Sequence, residues 1–255
     1  TSVDFTRSRY KILNGFYNGI AYATVGNSLS AIDLWTGKEI QNLTLPGSGY
    51  VTGMAREGTK LYAYVNQPGT FAVIDISQQD LAKVIGQQTF LIGSPDVSVA
   101  VGKGVAYLVS GGFSTIDVSD PTNPVLIADR ELFFPGYHMA LNGSGLGIVA
   151  VEDEGVWVYD ISDPHKTNER VLRTDTDFAY NIAIASGLAY VGDRNGLLVL
   201  NYLPFDNKGQ TPSVSISSLV DSDPNTEGTQ IIEGRNIPLE INIADDVQVR
   251  NVEFL

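Results

Sequence analysis

The chain has 255 residues, 43% of them hydrophobic, and a formal net charge of −13 from 16 basic and 29 acidic side chains. That apolar share supplies a large core and excludes global disorder, and the acidic balance repels phosphate backbones and excludes nucleic-acid binding. With no cysteine, disulfides, zinc thiolates and thiol catalysis are excluded, and no apolar run approaches the roughly 20 residues that span a bilayer as a helix.

In chain order, "SVDFTRSRY" (2–10) precedes a first inner strand, followed by the apolar strand "GIAYATV", a turn at Gly26-Asn27 and "SLSAID", which ends at Asp33. The order then repeats. "YVTGMA", "KLYAYV", the turn Gln67-Pro68-Gly69 and "TFAVID" lead to Asp75. "DVSVAV", "GVAYLV", Gly111-Gly112 and "FSTID" lead to Asp117. "YHMALN", "LGIVAV", Glu154-Gly155 and "VWVYD" lead to Asp160, and "YNIAIA", "GLAYVG", Asn195-Gly196 and "LLVLN" lead to Asn201. The terminal acids or amides are spaced by 42, 42, 43 and 41 residues. So even a period is the mark of a repeat architecture.

Glycine or asparagine in each turn supplies the positive φ of a tight hairpin. The terminal Asp or Asn is placed to accept a hydrogen bond from the backbone two residues on, an Asx-turn that stops the ladder. After Asp117, Pro121 and Pro124 forbid continuation and "VLIADREL" begins a fourth strand. These acids read as turn-makers rather than metal ligands. Four strands per unit, repeated, predict a β-propeller of four-stranded blades, each sheltering its faces on its neighbours. No helix of useful length is expected.

The last unit lacks an outer strand and the first is preceded by an unassigned one. The two defects fit each other, so the expected ring has five blades and is closed by an N-terminal outer strand, which also buries an aggregation-prone edge. The propeller is assigned to residues 1–205 and a linker, "DNKGQT", to 206–211. Beyond it, Ile237, Leu239, Ile241 and Ile243 alternate with Pro238, Glu240, Asn242 and Ala244, the pattern of a half-buried strand, and "VQVRNVEF" reads as another. Residues 212–255 suit a β-sandwich but fall short of the roughly 100 residues of an immunoglobulin-like domain. The chain is therefore expected to be a piece of a longer multidomain protein, with an all-β fold throughout.

"STIDVSDPTNPVLI" from Ser114, and after it "WVYDISDPHKT" from Trp157, resemble the LVIVD-repeat propellers. The units around Asp33 ("AIDLWTGKEI") and Asn201 ("VLNYLP") depart from that phrase. The tail "EGRNIPLEINIADDVQVRNVEFL" is similar to the bacterial Ig-like modules strung along large surface and secreted proteins. Together these resemblances imply an exported bacterial protein, extracellular or on the cell surface, and they carry over no catalytic residues.

Propeller ligands gather where inner strands begin around the axis. The corresponding residues are Tyr50, Asp96, Tyr137, His138, Tyr180 and Asn181. Asp96 and His138 are chemically able to bind a metal or to act as acid and base. His165, which follows Asp163-Pro164, is expected to be a solvated loop residue. The run Glu152-Asp153-Glu154 lacks EF-hand spacing and reads as a hairpin turn. "DSDPNTEG", with Asp221 and Asp223, and the pair Asp245 and Asp246 form a candidate calcium site at the domain junction. Otherwise no cofactor is indicated. "GSGLG" from Gly143 has no helix after it and is no phosphate cradle.

The reading that follows is a non-catalytic interaction or structural module, binding a protein, a surface glycan or further copies of itself through propeller loops, with no membrane insertion in this segment. The alternative is a channel-mouth, metal-assisted hydrolase or lyase that uses Asp96 and His138.

Overall fold

The computed structural model describes residues 11–78, 81–90, 97–110, 112–131, 136–143, 145–167, 170–185, 187–202, 213–218 and 240–244. All regular structure among them is antiparallel sheet, in six sheets, four of them four-stranded.

The first sheet takes β1 (Lys11–Tyr17), β2 (Ile20–Val25), β3 (Ser28–Asp33) and β4 (Lys38–Thr44) in chain order. The second takes β5 (Val51–Glu57), β6 (Lys60–Val65), β7 (Thr70–Asp75) and β8 (Lys83–Thr89), and the third β9 (Ser98–Gly102), β10 (Val105–Val109), β11 (Gly112–Asp117) and β12 (Val125–Glu131). The fourth takes β13 (His138–Leu141), β14 (Leu146–Ala150), β15 (Val156–Asp160) and β16 (Arg170–Thr174). The fifth has three strands among the described residues, β17 (Ala179–Ala185), β18 (Leu188–Asp193) and β19 (Gly196–Asn201), and a separate pair joins β20 (Ser213–Ser218) to β21 (Glu240–Ala244).

Asp33, Asp75, Asp117, Asp160 and Asn201 are each the last residue of the third strand of their sheet. The backbone amides of Trp35, Ser77, Ser119 and Ser162 donate to the side-chain oxygens of Asp33, Asp75, Asp117 and Asp160 at 2.8–2.9 Å. Where the sequence reads Asp-x-Ser-Asp-Pro a second such turn follows at once, with Thr122 N donating to Asp120 (2.9 Å) and His165 N to Asp163 (3.0 Å). Hydrogen bonds from the Ser119 hydroxyl and amide hold the Asp117 carboxyl below its ordinary range. The ladder between third and fourth strands slips by one residue at equivalent places in four sheets, after Ala31, Val73, Thr115 and Val158. The repeat therefore extends to backbone detail. The hairpin turns have the positive φ expected, +62° at Gly26, +99° at Gly69 and +78° at Gly155.

The sheets stack by their faces. Tyr22, Leu29 and Ala31 of the first sheet pack with Leu61, Ala63 and Ile74 of the second. Tyr62, Phe71 and Val73, on the other face of the second, pack with Val99, Leu108 and Ile116 of the third. Tyr107 and Val109 meet Val149, Trp157 and Tyr159, and Ile148 and Val158 meet Ile182 and Val191. Burial pushes the Tyr62 and Tyr107 phenols up to about 12, so both are neutral across the working range. The first strands run side by side in the order β1, β5, β9, β13, β17, as inner strands around an axis do. Strands β17 and β1 are not in such contact. On the far face of the fifth sheet Leu197 is 69% and Val199 48% exposed.

Close approach of the inner strands depends on absent side chains. A Cβ at Gly53 in β5 would meet the Val97 carbonyl and lie 2.8 Å from Val99 N. Polar clamps add to the seams. The Gln41 amide exchanges two 2.8 Å hydrogen bonds with the Ala82 backbone, and the Glu57 carboxylate accepts from the amides of Lys103 and Gly104 in the next sheet.

Of the tail, the described part is one antiparallel pair in which Ile241 and Ile243 are half-buried and Asn242 exposed, as the alternation requires. The linker 206–211 and the strand "VQVRNVEF" lie outside the described residues.

Two outcomes follow for urea unfolding. Gly53→Ala lowers stability by at least as much as Leu61→Ala, about 2–5 kcal/mol for a buried leucine, because backbone must move to admit the methyl. Asp117→Ala lowers the unfolding midpoint more than Asp117→Asn, because asparagine keeps the oxygen that accepts from Ser119.

Candidate functional site

Antiparallel order brings the starts of first strands, the ends of second strands and the starts of third strands to one end of the stack. The Asx-turns close the opposite end. Each described residue proposed for the axial mouth belongs to the first end, and the structure places them unevenly.

Tyr50 lies just before β5, its backbone exchanging hydrogen bonds with Asn66, at 3.0 Å to the side-chain oxygen and 3.1 Å from the amide. Asp96 lies outside the described residues, as do the calcium candidates Asp221, Asp223, Asp245 and Asp246. Among the described residues no three His, Asp or Glu side chains are grouped to hold a metal. His165 is exposed in its Asx-turn, where its amide donates to Asp163.

Tyr137 and Tyr180 come together through the neighbouring inner strands β13 and β17. Phe178, which the sequence reading passed over, completes the cluster. Ring centroids are 4.7 Å apart for Phe178 and Tyr180, 6.3 Å for Tyr137 and Tyr180, and 6.3 Å for Tyr137 and Phe178, all tilted. Tyr137 and Tyr180 are each 43% exposed, and Asn181 is exposed beside them. The Arg194 guanidinium lies 4.9 Å from the centroid of Phe178. The one signal for Phe178 in the sequence was its place, two residues before Tyr180 at the opening of an inner strand.

The cluster stands on a fixed frame. Asp193 accepts from the amides of Asn195 (2.8 Å), Asp177 (3.0 Å) and Phe178 (3.2 Å), and these bonds, with those of Asn195 and Phe178 foremost, hold its carboxyl below the ordinary value. Asn195 in turn donates its side-chain N–H to Asp177 (3.0 Å). The Ala179 amide donates to the Glu152 carbonyl (2.9 Å), which ties the 152–154 turn of the fourth sheet to the fifth. In that turn Glu154 pairs with Arg173 at 2.6 Å. A cleft of about 320 Å³ opens alongside, between Asp177, Asp193, Asn195 and Leu197.

His138 faces inward. Its imidazole hydrogen-bonds the Ile182 backbone, across the seam from β13 to β17, and burial lowers its pKa below the usual 6.5 against a smaller opposing effect of that bond. Its Nδ1 is buried without a partner among the described residues. The ring thus links the fourth sheet to the fifth.

Residues 60–79, 97–129 and 178–201 match the model of the LVIVD repeat. The chain carries LVIVD repeats. They fall on the second, third and fifth sheets, whereas the phrase from Trp157 lies outside the matched stretches. No curated protein matches the sequence. Among solved structures the chain is similar to the computationally designed Ika8 protein (14% identity, TM-score 0.55, covering 73% of this chain and 57% of that one). It is similar to a protein of unknown function from Bacteroides caccae (14% identity, TM-score 0.56, 74% and 76%). It also resembles a chain of the Mitotic Checkpoint Complex (10% identity, TM-score 0.61, 74% and 60%). The chain thus spans less than two thirds of the first and third of these. At such identities the likeness is one of fold, and with the sheet order above it makes this LVIVD-repeat chain all-β and propeller-like.

The half-buried His138 makes stability pH-dependent in a definite direction. A folded-state pKa below 6.5 means that the unfolded chain binds the proton more readily. The stability present above pH 6.5 is therefore lost as pH falls through the depressed folded value. Urea midpoints of wild type should fall over that interval, and those of His138→Gln should be flatter.

Proposed function

We propose that this chain is a non-catalytic interaction module, a propeller-type stack of sheets that binds its partner at the axial mouth through Tyr137, Phe178 and Tyr180. The observation that carries this reading is the three-ring cluster, exposed at Tyr137 and Tyr180 and half-buried at Phe178, built on two adjacent inner strands and braced by Asp193 and Asn195. Aromatic side chains lose little conformational entropy on binding and dominate recognition surfaces, and a rigid scaffold is what makes loop residues effective binders. The engagement of His138 with Ile182 favours recognition over acid–base chemistry at this mouth.

The finer architecture belongs to the same proposal. The ring has five blades, and the N-terminal segment 2–10 supplies the fourth strand on the β19 edge of the fifth sheet. Support comes from the four-stranded order of the other propeller sheets and from the apolar side chains, Leu197 and Val199, waiting on β19. Residues from 212 onward begin an Ig-like sandwich, for which the β20–β21 pair is a start. The module is extracellular or cell-surface, and its partner is a protein, a surface glycan or another copy.

The test is an array of glycans and of peptides of varied charge, probed with wild type and with Tyr180→Ser. Ligands captured by wild type and lost at least ten-fold by the variant support the module. Turnover of esters, lactones or glycans that His138→Gln abolishes would replace it with the enzyme reading.

A further inference from the structure

The mouth that carries the aromatic cluster is also where acid accumulates. The segments 152–154, 173–177 and 193–194, which converge on Phe178, hold six carboxylates and two guanidiniums. Both guanidiniums are already engaged. Arg173 pairs with Glu154 (2.6 Å) and Asp175 (2.9 Å), and Arg194 lies over Phe178. No ion pair among the described residues reaches Glu152, Asp153, Asp177 or Asp193. Backbone amides and Asn195 fix the last two, but hydrogen bonds from neutral groups leave their charge uncompensated.

Two independent features therefore favour the same chemistry. Ring faces attract cations through their quadrupole, best of all guanidinium and ammonium groups, and the rim is negative. The chain supplies its own example in Arg194, a guanidinium seated on this cluster. The exposed area of Tyr137 and Tyr180 extends the same kind of surface outward. The formal charge of −13 adds a long-range field that draws basic partners and repels acidic ones.

We infer that the mouth beside β13 and β17 docks a basic polypeptide segment, whose lysine or arginine side chains lie over Tyr137 and Tyr180 and pair with Asp153 and Asp177. This rests on the reading of the chain as an interaction module and names the partner by its charge. Acidic polypeptides and sulfated or uronic-acid glycans are disfavoured by the same field.

The experiment titrates the whole chain with a short lysine-rich peptide, its glutamate-for-lysine counterpart and a neutral glycine–serine–tyrosine peptide, followed by calorimetry at low and at physiological ionic strength. Binding of the lysine-rich peptide alone is expected, weakening as salt rises. Tyr180→Ser should weaken it about five-fold, and Asp153→Asn and Asp177→Asn about three-fold each. All three positions are exposed, and unchanged thermal unfolding of the variants shows that the fold is intact. Lysine-peptide binding that ignores all three substitutions overturns the inference, because the attraction is then diffuse. Binding of the neutral or acidic peptide in a Tyr180-dependent manner also overturns it, while leaving the module reading in place. Absence of binding by every peptide overturns it too, and the glycan half of the array then decides whether the module reading survives.

Discussion

Each propeller sheet of this chain is apolar on one face or both, and an isolated antiparallel sheet of this size has nowhere to put such faces except against another sheet. The seams between consecutive sheets are thus the interaction on which the rest depends. Tyr22 and Leu61, Phe71 and Ile116, Tyr107 and Trp157, Ile148 and Ile182 meet across four successive seams. The requirement is for contact as close as backbone permits, which is why Gly53 sits on the Val97 carbonyl. Gly86 in β8 meets the same demand at the outer side, where the Pro121 carbonyl of the next sheet leaves no room for a methyl.

Stacking gives the molecule two dissimilar ends. At one, carboxylates act on their own backbone. Asp33, Asp75, Asp117 and Asp160 turn the chain after each third strand, accepting from backbone amides, and Asp75 also pairs with Lys60. At the other end, the starts of inner strands meet, and there acids lie around aromatic rings, one of them, Asp193, also closing a turn onto Asn195. The same residue type thus shapes the fold at one end and sets the character of a surface at the other. Position within the repeat, rather than composition, separates these roles.

The period of about 42 residues was legible because the terminal acid is demanded by local geometry. An Asx-turn requires a short side-chain acceptor at the strand end whatever lies around it, so Asp117 and Asp160 declare themselves in one dimension. Glycines with positive φ are legible for the same reason. Tyr137 and Tyr180 were legible as residues at the openings of first strands, because the repeat fixes where each of those strands starts. Phe178 was not, since nothing local distinguishes it from a core aromatic. Its half-buried place beside Tyr180, under Arg194, depends on neighbours brought in by other strands. His138 was legible as polar and axial but not in its orientation, which is set by a hydrogen bond to another sheet.

By itself, then, the sequence determined the strands, their order within each sheet and the ends at which turns fall, because backbone hydrogen bonding and turn chemistry act over a few residues. Only the tertiary structure decided which rings share a surface, which acids remain uncompensated and which glycines stand at a seam. Those properties depend on how sheets about forty residues apart approach one another, and that distance is governed by side-chain packing between faces, to which no single stretch of chain has access.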